Sequence, residues 1–264
     1  MVFYRKIIYK DYKKQRNFPK LRKRKEDESN LNQVHVTIPN DFKKSFKPNI
    51  RVGIEALKRC IDFAERMTFG DGNHNKFSFG SDNYPREQKE IYRDALQGKI
   101  AELAFYNYLY IHKIRTKEEP NFESWDLGIW EDCDFELAHN NKKISIKSTK
   151  NFGQLLLIER ERYNEEGLYI EPAEGNTPIK YDYIFLCRVS NIYNDSQIED
   201  YRQNKNLGNI ECEITGFITF NQFKDVIRRK QYLPKGIILG MPLKVANYYI
   251  LASDLSTDIE QLKN

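Results

Sequence analysis

The run Y-D-Y-I-F-L-C-R-V, Tyr181 to Val189, constrains the fold more than any other stretch of this chain. It is apolar enough to predict a strand at a central position, covered on both faces, rather than a half-solvated one. Further strand-like runs stand at Val34 to Pro39, Leu155 to Ile158, Glu211 to Thr219 and Asn247 to Leu251. Helical periodicity runs from Arg51 to Met67 through Ile54, Leu57, Cys60, Ile61 and Ala64. A second, longer helix opens at Pro85, where proline is tolerated in the first turn, and reaches about Ile111. Asn221 is placed to cap a third through about Tyr232, whose last turn, R-R-K, suits the helix dipole. A helix, then mostly strands, then a helix predicts an α/β domain around a mixed β-sheet flanked by helices.

With 264 residues the chain can bury a sizeable core without staples. The expected organisation is a basic arm with a short strand over 1–50, a helix followed by the Gly/Asn-rich loop Phe69 to Asn83 over 51–84, and the main core with C-terminal additions over 85–264. The four cysteines, Cys60, Cys133, Cys187 and Cys212, form no C-x-x-C pair, which argues against a disulfide framework or a zinc knuckle. No apolar run nears the roughly 18 residues that span a bilayer, and the charged N-terminus lacks a signal-peptide core. A cytoplasmic protein without membrane contact is the expectation. Phosphate-loop, nucleophile-elbow and zinc-protease motifs are absent, and His35, His74, His112 and His139 are scattered.

Charge is unevenly placed. Residues 1–25 carry eleven Lys or Arg against one acid, Asp11, whereas the remaining 239 residues carry 32 bases and 37 acids. Lys13, Lys14, Arg16, Arg22, Lys23 and Arg24 belong to this arm, interleaved with Phe3, Tyr4, Tyr9, Tyr12 and Phe18. Such a segment suits a nucleic-acid backbone, since each cation displaces condensed counterions and the aromatics can stack. A solvated tail that aids solubility has the same composition.

Between the long helix and the central strand lies D-F-E-L-A-H-N-N-K-K-I-S-I-K-S-T-K, Asp134 to Lys150. Alternation puts Ile144 and Ile146 on one face of a strand, with Ser145 and Lys147 on the other. A two-residue type I′ turn at Asn140-Asn141 would set Asp134 opposite Lys147 and Glu136 opposite Ser145. Phe135 and Leu137 would then share the buried face with Ile146 and Ile144. Directly opposed Cβ atoms lie about 4.5–5.5 Å apart, so two carboxylates, an ammonium and a hydroxyl would gather on one face. One ion pair across the hairpin leaves Glu136 unexplained. On the preceding helix, Glu102 sits in the stripe Ile91, Ala95, Gly98, Phe105, Leu109, and a carboxylate there needs a partner. Gly98, one turn before it, leaves space beside the acid for a neighbouring element or a ligand.

Q-G-K-I-A-E-L-A-F-Y-N-Y-L, followed by D-F-E-L and N-N-K-K-I-S-I-K-S-T-K, resembles the PD-(D/E)xK nuclease superfamily, whose fold is restriction-endonuclease-like. These enzymes place an acid on a helix, an aspartate at a strand start and an acid-x-lysine on the adjoining strand. Over residues 97–150 the resemblance implies Glu102 as the helix acid, Asp134 as the strand aspartate and Lys147 as the lysine. Cys133 replaces the proline of the motif name, and Ser145 replaces the second acid. Phosphodiester hydrolysis with a divalent metal needs hard oxygen ligands, so that loss calls for a substitute. Glu136 is one substitute, by the hairpin register. Glu161 is the other, because some restriction enzymes of this superfamily carry Ser-x-Lys and take the acid from a position thirteen or fourteen residues after the lysine. Both stay open.

The resemblance implies a magnesium-dependent DNA endonuclease, most similar to type II restriction enzymes, with Mn2+ as a substitute metal. Its catalytic set would be Asp134, Lys147, Glu102, Glu136, Ser145 and Glu161, its metal ligands Asp134, Glu102, Ile146 and Glu136, and Lys150 would join the arm in contacting DNA. Double-stranded DNA, a second copy of the chain and a cognate DNA methyltransferase are the implied partners. A homing or repair endonuclease of the same fold, and a DNA-binding protein without activity, are the alternatives.

Overall fold

Every residue from Tyr183 to Val189 is buried, as expected of a central strand. The computed structural model describes residues 21–23, 35–70, 87–122, 133–170, 177–190, 195–203, 205 and 207–263. In chain order these hold β1 (Arg22–Lys23), β2 (Val36–Thr37), β3 (Ile50–Val52), α1 (Ile54–Phe69), α2 (Gln88–Ile111), β4 (Phe135–Glu136), β5 (Lys143–Lys150), β6 (Leu155–Glu159) and β7 (Tyr183–Val189). They continue with α3 (Asp195–Arg202), β8 (Ile210–Thr219), α4 (Phe220–Arg228), β9 (Tyr232–Leu233), β10 (Ile238–Leu239), β11 (Met241–Pro242) and β12 (Asn247–Leu251). Lys13, Lys14, Arg16 and Arg24 of the arm, most of the Gly/Asn-rich loop, and Pro85 lie outside the described residues.

The main sheet runs β3-β8-β7-β5-β4. β5 and β7 are parallel and the other pairs antiparallel, so the sheet is mixed and the chain is α/β. A parallel pair needs a long crossover, and residues 151–182 supply it by way of β6. β6 leaves the main sheet and joins β12 and β9 in a smaller one. Alternation along β7 then explains the layers: Tyr183, Phe185 and Cys187 face α1 and α2, while Ile184 and Leu186 face the side on which Leu156, Ile158, Tyr248 and Ile250 of the smaller sheet pack.

α2 is buried on most of its circumference because it lies between α1 and the main sheet. Phe105 fixes it to the sheet, with its ring 4.6 Å from that of Phe185 and 5.6 Å from that of Phe135. β3, at the far edge, extends the same sheet from the N-terminal side. The helix expected to start at Asn221 is capped two residues earlier. Thr219 and Gln222 form a reciprocal capping box, which satisfies two amide donors and outweighs a lone asparagine cap.

The hairpin register departs from the expected one by two residues. Phe135 pairs with Ile144 and Glu136 with Lys143, so Glu136 does not oppose Ser145 and Asp134 does not oppose Lys147. A type I′ turn needs positive φ at both central residues, and only Asn141 has it, at 57°. A four-residue loop, 138–141, forms instead, closed by Leu137 N donating to Lys142 O and Asn141 N donating to Leu137 O. The outer edge of β4 is also engaged, by Lys117 N on Glu136 O and Ala138 N on Arg115 O. A slip of two residues preserves the faces, which is why Phe135, Leu137 and Ile144 are buried as the alternation predicts.

Candidate active site at the broken edge of the hairpin

β4 begins at Phe135, two residues short of what would be needed to pair with Ile146. The Ile146 amide therefore has no backbone acceptor from β4, and Asp134 takes it through Oδ2. Among the described residues nothing donates to Asp134 Oδ1, so half of this carboxylate is uncommitted. In an antiparallel ladder a residue turns its carbonyl to the same edge as its amide, which puts the Ile146 carbonyl beside Asp134. Lys147, the next residue, is half-buried and points to the opposite face from Ile146. Among the described residues its ammonium makes no ion pair and no hydrogen bond. Ser145, on the Lys147 face, is only 2% exposed.

Three side chains that the sequence did not single out stand around this edge: Gln97, Tyr163 and Tyr181. Gln97 of α2 donates through Nε2 to Ser148 Oγ at 3.1 Å, which ties the long helix to β5 beside Lys147. Tyr163 and Tyr181 lie on the smaller-sheet side with Cys133. Burial raises both phenol pKa values, and the Asp134 charge raises them further, so both stay protonated at neutral pH. Tyr163 Oη is buried and has no hydrogen-bond partner among the described residues. Tyr181 belongs to the strand-like run Y-D-Y-I-F-L-C-R-V, whose pattern signals a strand and not a site.

The remaining expected acids are engaged elsewhere. Glu102 pairs with Lys99, which is 6% exposed, donates to Asn121 O at 2.7 Å and lies over the Phe63 ring at 4.4 Å. A Cβ at Gly98 would meet nothing within 4 Å, so the space expected beside this acid is open. Glu136 pairs with Lys117. Glu161 lies in the 3-10 turn Arg160–Arg162 that follows β6. Arg22 and Lys23 form β1, paired with β2, and the Lys150 ammonium lies 5.9 Å from the centre of the Phe152 ring.

Asp134 Oδ1 and the Ile146 carbonyl are hard oxygen donors. They fit an Mg2+ ion bound through one or two protein oxygens with water and phosphate completing its shell. Among the described residues no three His, Cys, Asp or Glu side chains form a metal-binding group. Glu102 and Glu136 therefore join such an ion only by leaving their lysines. No family model matches this sequence, and no curated protein or solved structure does either.

Proposed function

We propose that this protein is a metal-dependent endonuclease with a restriction-endonuclease-like core that hydrolyses phosphodiester bonds of double-stranded DNA. The observation that carries the reading is the pair of opposite charges at the end of the β4–β5 ladder. Asp134 keeps one oxygen uncommitted, and Lys147, one residue beyond the amide that Asp134 binds, leaves its ammonium unengaged among the described residues. No ion pair joins the two side chains among the described residues. Charges held apart in this way suit a group that is itself charged, and a scissile phosphate with its cation is such a group.

In this reading Asp134 and the Ile146 carbonyl hold Mg2+, or Mn2+ in its place, which when bound polarises the phosphate and activates a water. Lys147 stabilises the charge that develops on the phosphate or orients the attacking water. Tyr163 and Tyr181, kept as neutral phenols, close the site on the smaller-sheet side. The mixed sheet, the antiparallel β4–β5 hairpin, the parallel β7 beyond it and the covering α2 support the restriction-endonuclease-like assignment. A type II restriction enzyme, acting as a homodimer beside a cognate methyltransferase, is the form we favour, and homing or repair endonucleases share the chemistry.

A DNA-binding protein without turnover is the second reading, favoured by Ser145 and by the lysines that occupy Glu102 and Glu136. Incubation of supercoiled plasmid and bacterial genomic DNA with the protein separates the two. The nuclease reading expects cleavage with Mg2+ or Mn2+, none with EDTA and none by Lys147→Ala. Retained DNA binding with no cleavage under any of these metals establishes the second reading, and full activity of Lys147→Ala overturns the site.

A further inference from the structure

Past the C-terminus of α2, three separate pieces of chain meet around an open cleft of about 450 Å3. It is lined by Lys113, Ile114 and Arg115 after the helix, Ala138 and His139 in the hairpin loop, and Lys263 near the C-terminus. Three permanent cations and one imidazole thus face one space, with no acid on the lining. Most Lys and Arg side chains of the described core have partners, for example Lys99, Lys117, Arg188 and Arg202. Lys113 and Arg115 have none: among the described residues neither side chain makes an ion pair or a hydrogen bond. Lys263 reaches Glu260 at 2.8 Å, a contact between exposed groups that water screens.

The backbone adds an independent observation. Lys113 has φ 59°, in the left-handed region, and it closes α2 with Lys113 N donating to Tyr110 O and Ile114 N donating to Leu109 O. That position of a helix-ending turn is usually glycine, sometimes asparagine, because other side chains are strained there. Lys230 takes the same left-handed position after α4, so what sets Lys113 apart is that its side chain makes no ion pair or hydrogen bond among the described residues while it lines the cleft. The helix dipole favours a cation at this end, but it accounts for Lys113 alone, since His139 and Lys263 come from other segments.

We infer that this cleft is a docking site for the phosphodiester backbone of nucleic acid, separate from the Asp134–Lys147 edge. The choice of polymer rests on the proposed nuclease function; the anionic character of the ligand rests on the cleft. Arg115 offers a planar fork of donors matched to phosphate oxygens, and the two lysines act as point charges around it. Tyr110 and Ile111, on the last turn of α2 just before Lys113, are exposed.

Anisotropy of a fluorescent 30-base-pair duplex, titrated with the full chain at several salt concentrations, tests this. Lys113→Asn/Arg115→Gln/Lys263→Gln removes the charges while asparagine keeps the left-handed turn. The slope of log affinity against log salt should become shallower by about 2 to 3. Lys113→Gly gives a second readout: its thermal midpoint should rise by about 2–4 °C as the strain is relieved, while the slope falls by about 1. A purely structural Lys113 would move the midpoint and leave the slope alone, which overturns the inference. Unchanged slope in the triple variant, or loss of binding to phosphatidylserine vesicles with DNA binding intact, overturns it as well. Plasmid cleavage is scored separately. Cleavage with an unchanged slope removes the cleft and keeps the nuclease, whereas a shallower slope without cleavage keeps the cleft and removes the nuclease.

Discussion

Two charged groups on the same face of the main sheet, one on β7 and β8 and the other on β5 and just before β4, are treated in opposite ways. At the β7–β8 end, Arg188 is 0% exposed and pairs with Glu213, while its other donors reach Lys44 O at 2.8 Å and Ser45 O at 2.7 Å. Glu213 also accepts Lys47 N at 2.8 Å, and Lys44 Nζ donates to Thr215 O at 2.7 Å. Burial lowers the Lys44 pKa, as expected where an ammonium is drawn over a packed sheet. At the β4–β5 end, Asp134 spends one oxygen on Ile146 and Lys147 spends nothing on its described neighbours. The first group is sealed and its two charges are paired, with Arg188 Nε the one guanidinium nitrogen left without a partner among the described residues, so it serves the fold: it straps the segment before β3 across the sheet. The second is left unpaired at the rim, where Lys147 is half-buried and open to solvent or a ligand. Pairing of the charges, more than their presence, is what distinguishes the two groups.

The comparison is broken first by its stability half. Glu213→Gln should lower unfolding stability in urea by about 3–5 kcal/mol, since it leaves Arg188 buried without its counterion. Lys147→Ala should leave the urea midpoint where it is. Equal effects of the two substitutions would mean that the distinction drawn above is false.

Activity gives the next largest effect. Loss of the Lys147 ammonium should slow cleavage by about 10²–10³, and Asp134→Asn should lower Mg2+ affinity and rate together. Calorimetric Mg2+ binding that is unchanged in Asp134→Asn removes the metal from this carboxylate. Between the candidate substitutes for the acid missing at Ser145, the variant among Glu136→Gln and Glu161→Gln that abolishes cleavage identifies it. The observed register weakens one argument for Glu136, because it faces Lys143 rather than Ser145.

Glu102 sharpens the comparison, since it is paired yet stands on the long helix that covers β5. Glu102→Leu should cost about 1–3 kcal/mol by leaving the buried Lys99 without its counterion, and Lys99→Met/Glu102→Leu should recover most of it. Cleavage by the recovered double variant at the wild-type rate would confine Glu102 to a structural role. The smallest expected effect is that of Lys150→Ala, a change of about 1 in the salt slope of DNA binding with sequence preference unaltered.

Several features follow from the sequence by itself. Period-2 alternation placed Phe135, Leu137 and Ile144 on a buried face, and continuous apolar character placed Tyr183–Val189 at the centre of a sheet. Helical periodicity found α1, and Asn247–Leu251 is a strand as read. These features are local, since a side chain's face depends on its own strand or helix. Partners are different. The turn at 138–141, the pairing of Lys117 with Glu136, the Lys99 that claims Glu102 and the main-sheet place of β3 all depend on residues distant in sequence or on a turn that several conformations could close. A two-residue slip leaves every face unchanged, so no hydrophobic pattern could report it. Only the tertiary structure decided that β4 stops at Phe135, so that Asp134 caps the Ile146 amide and Lys147 keeps its charge unengaged among the described residues. A ladder ends where the chain turns away to pack elsewhere, and that choice belongs to the whole core rather than to the strand.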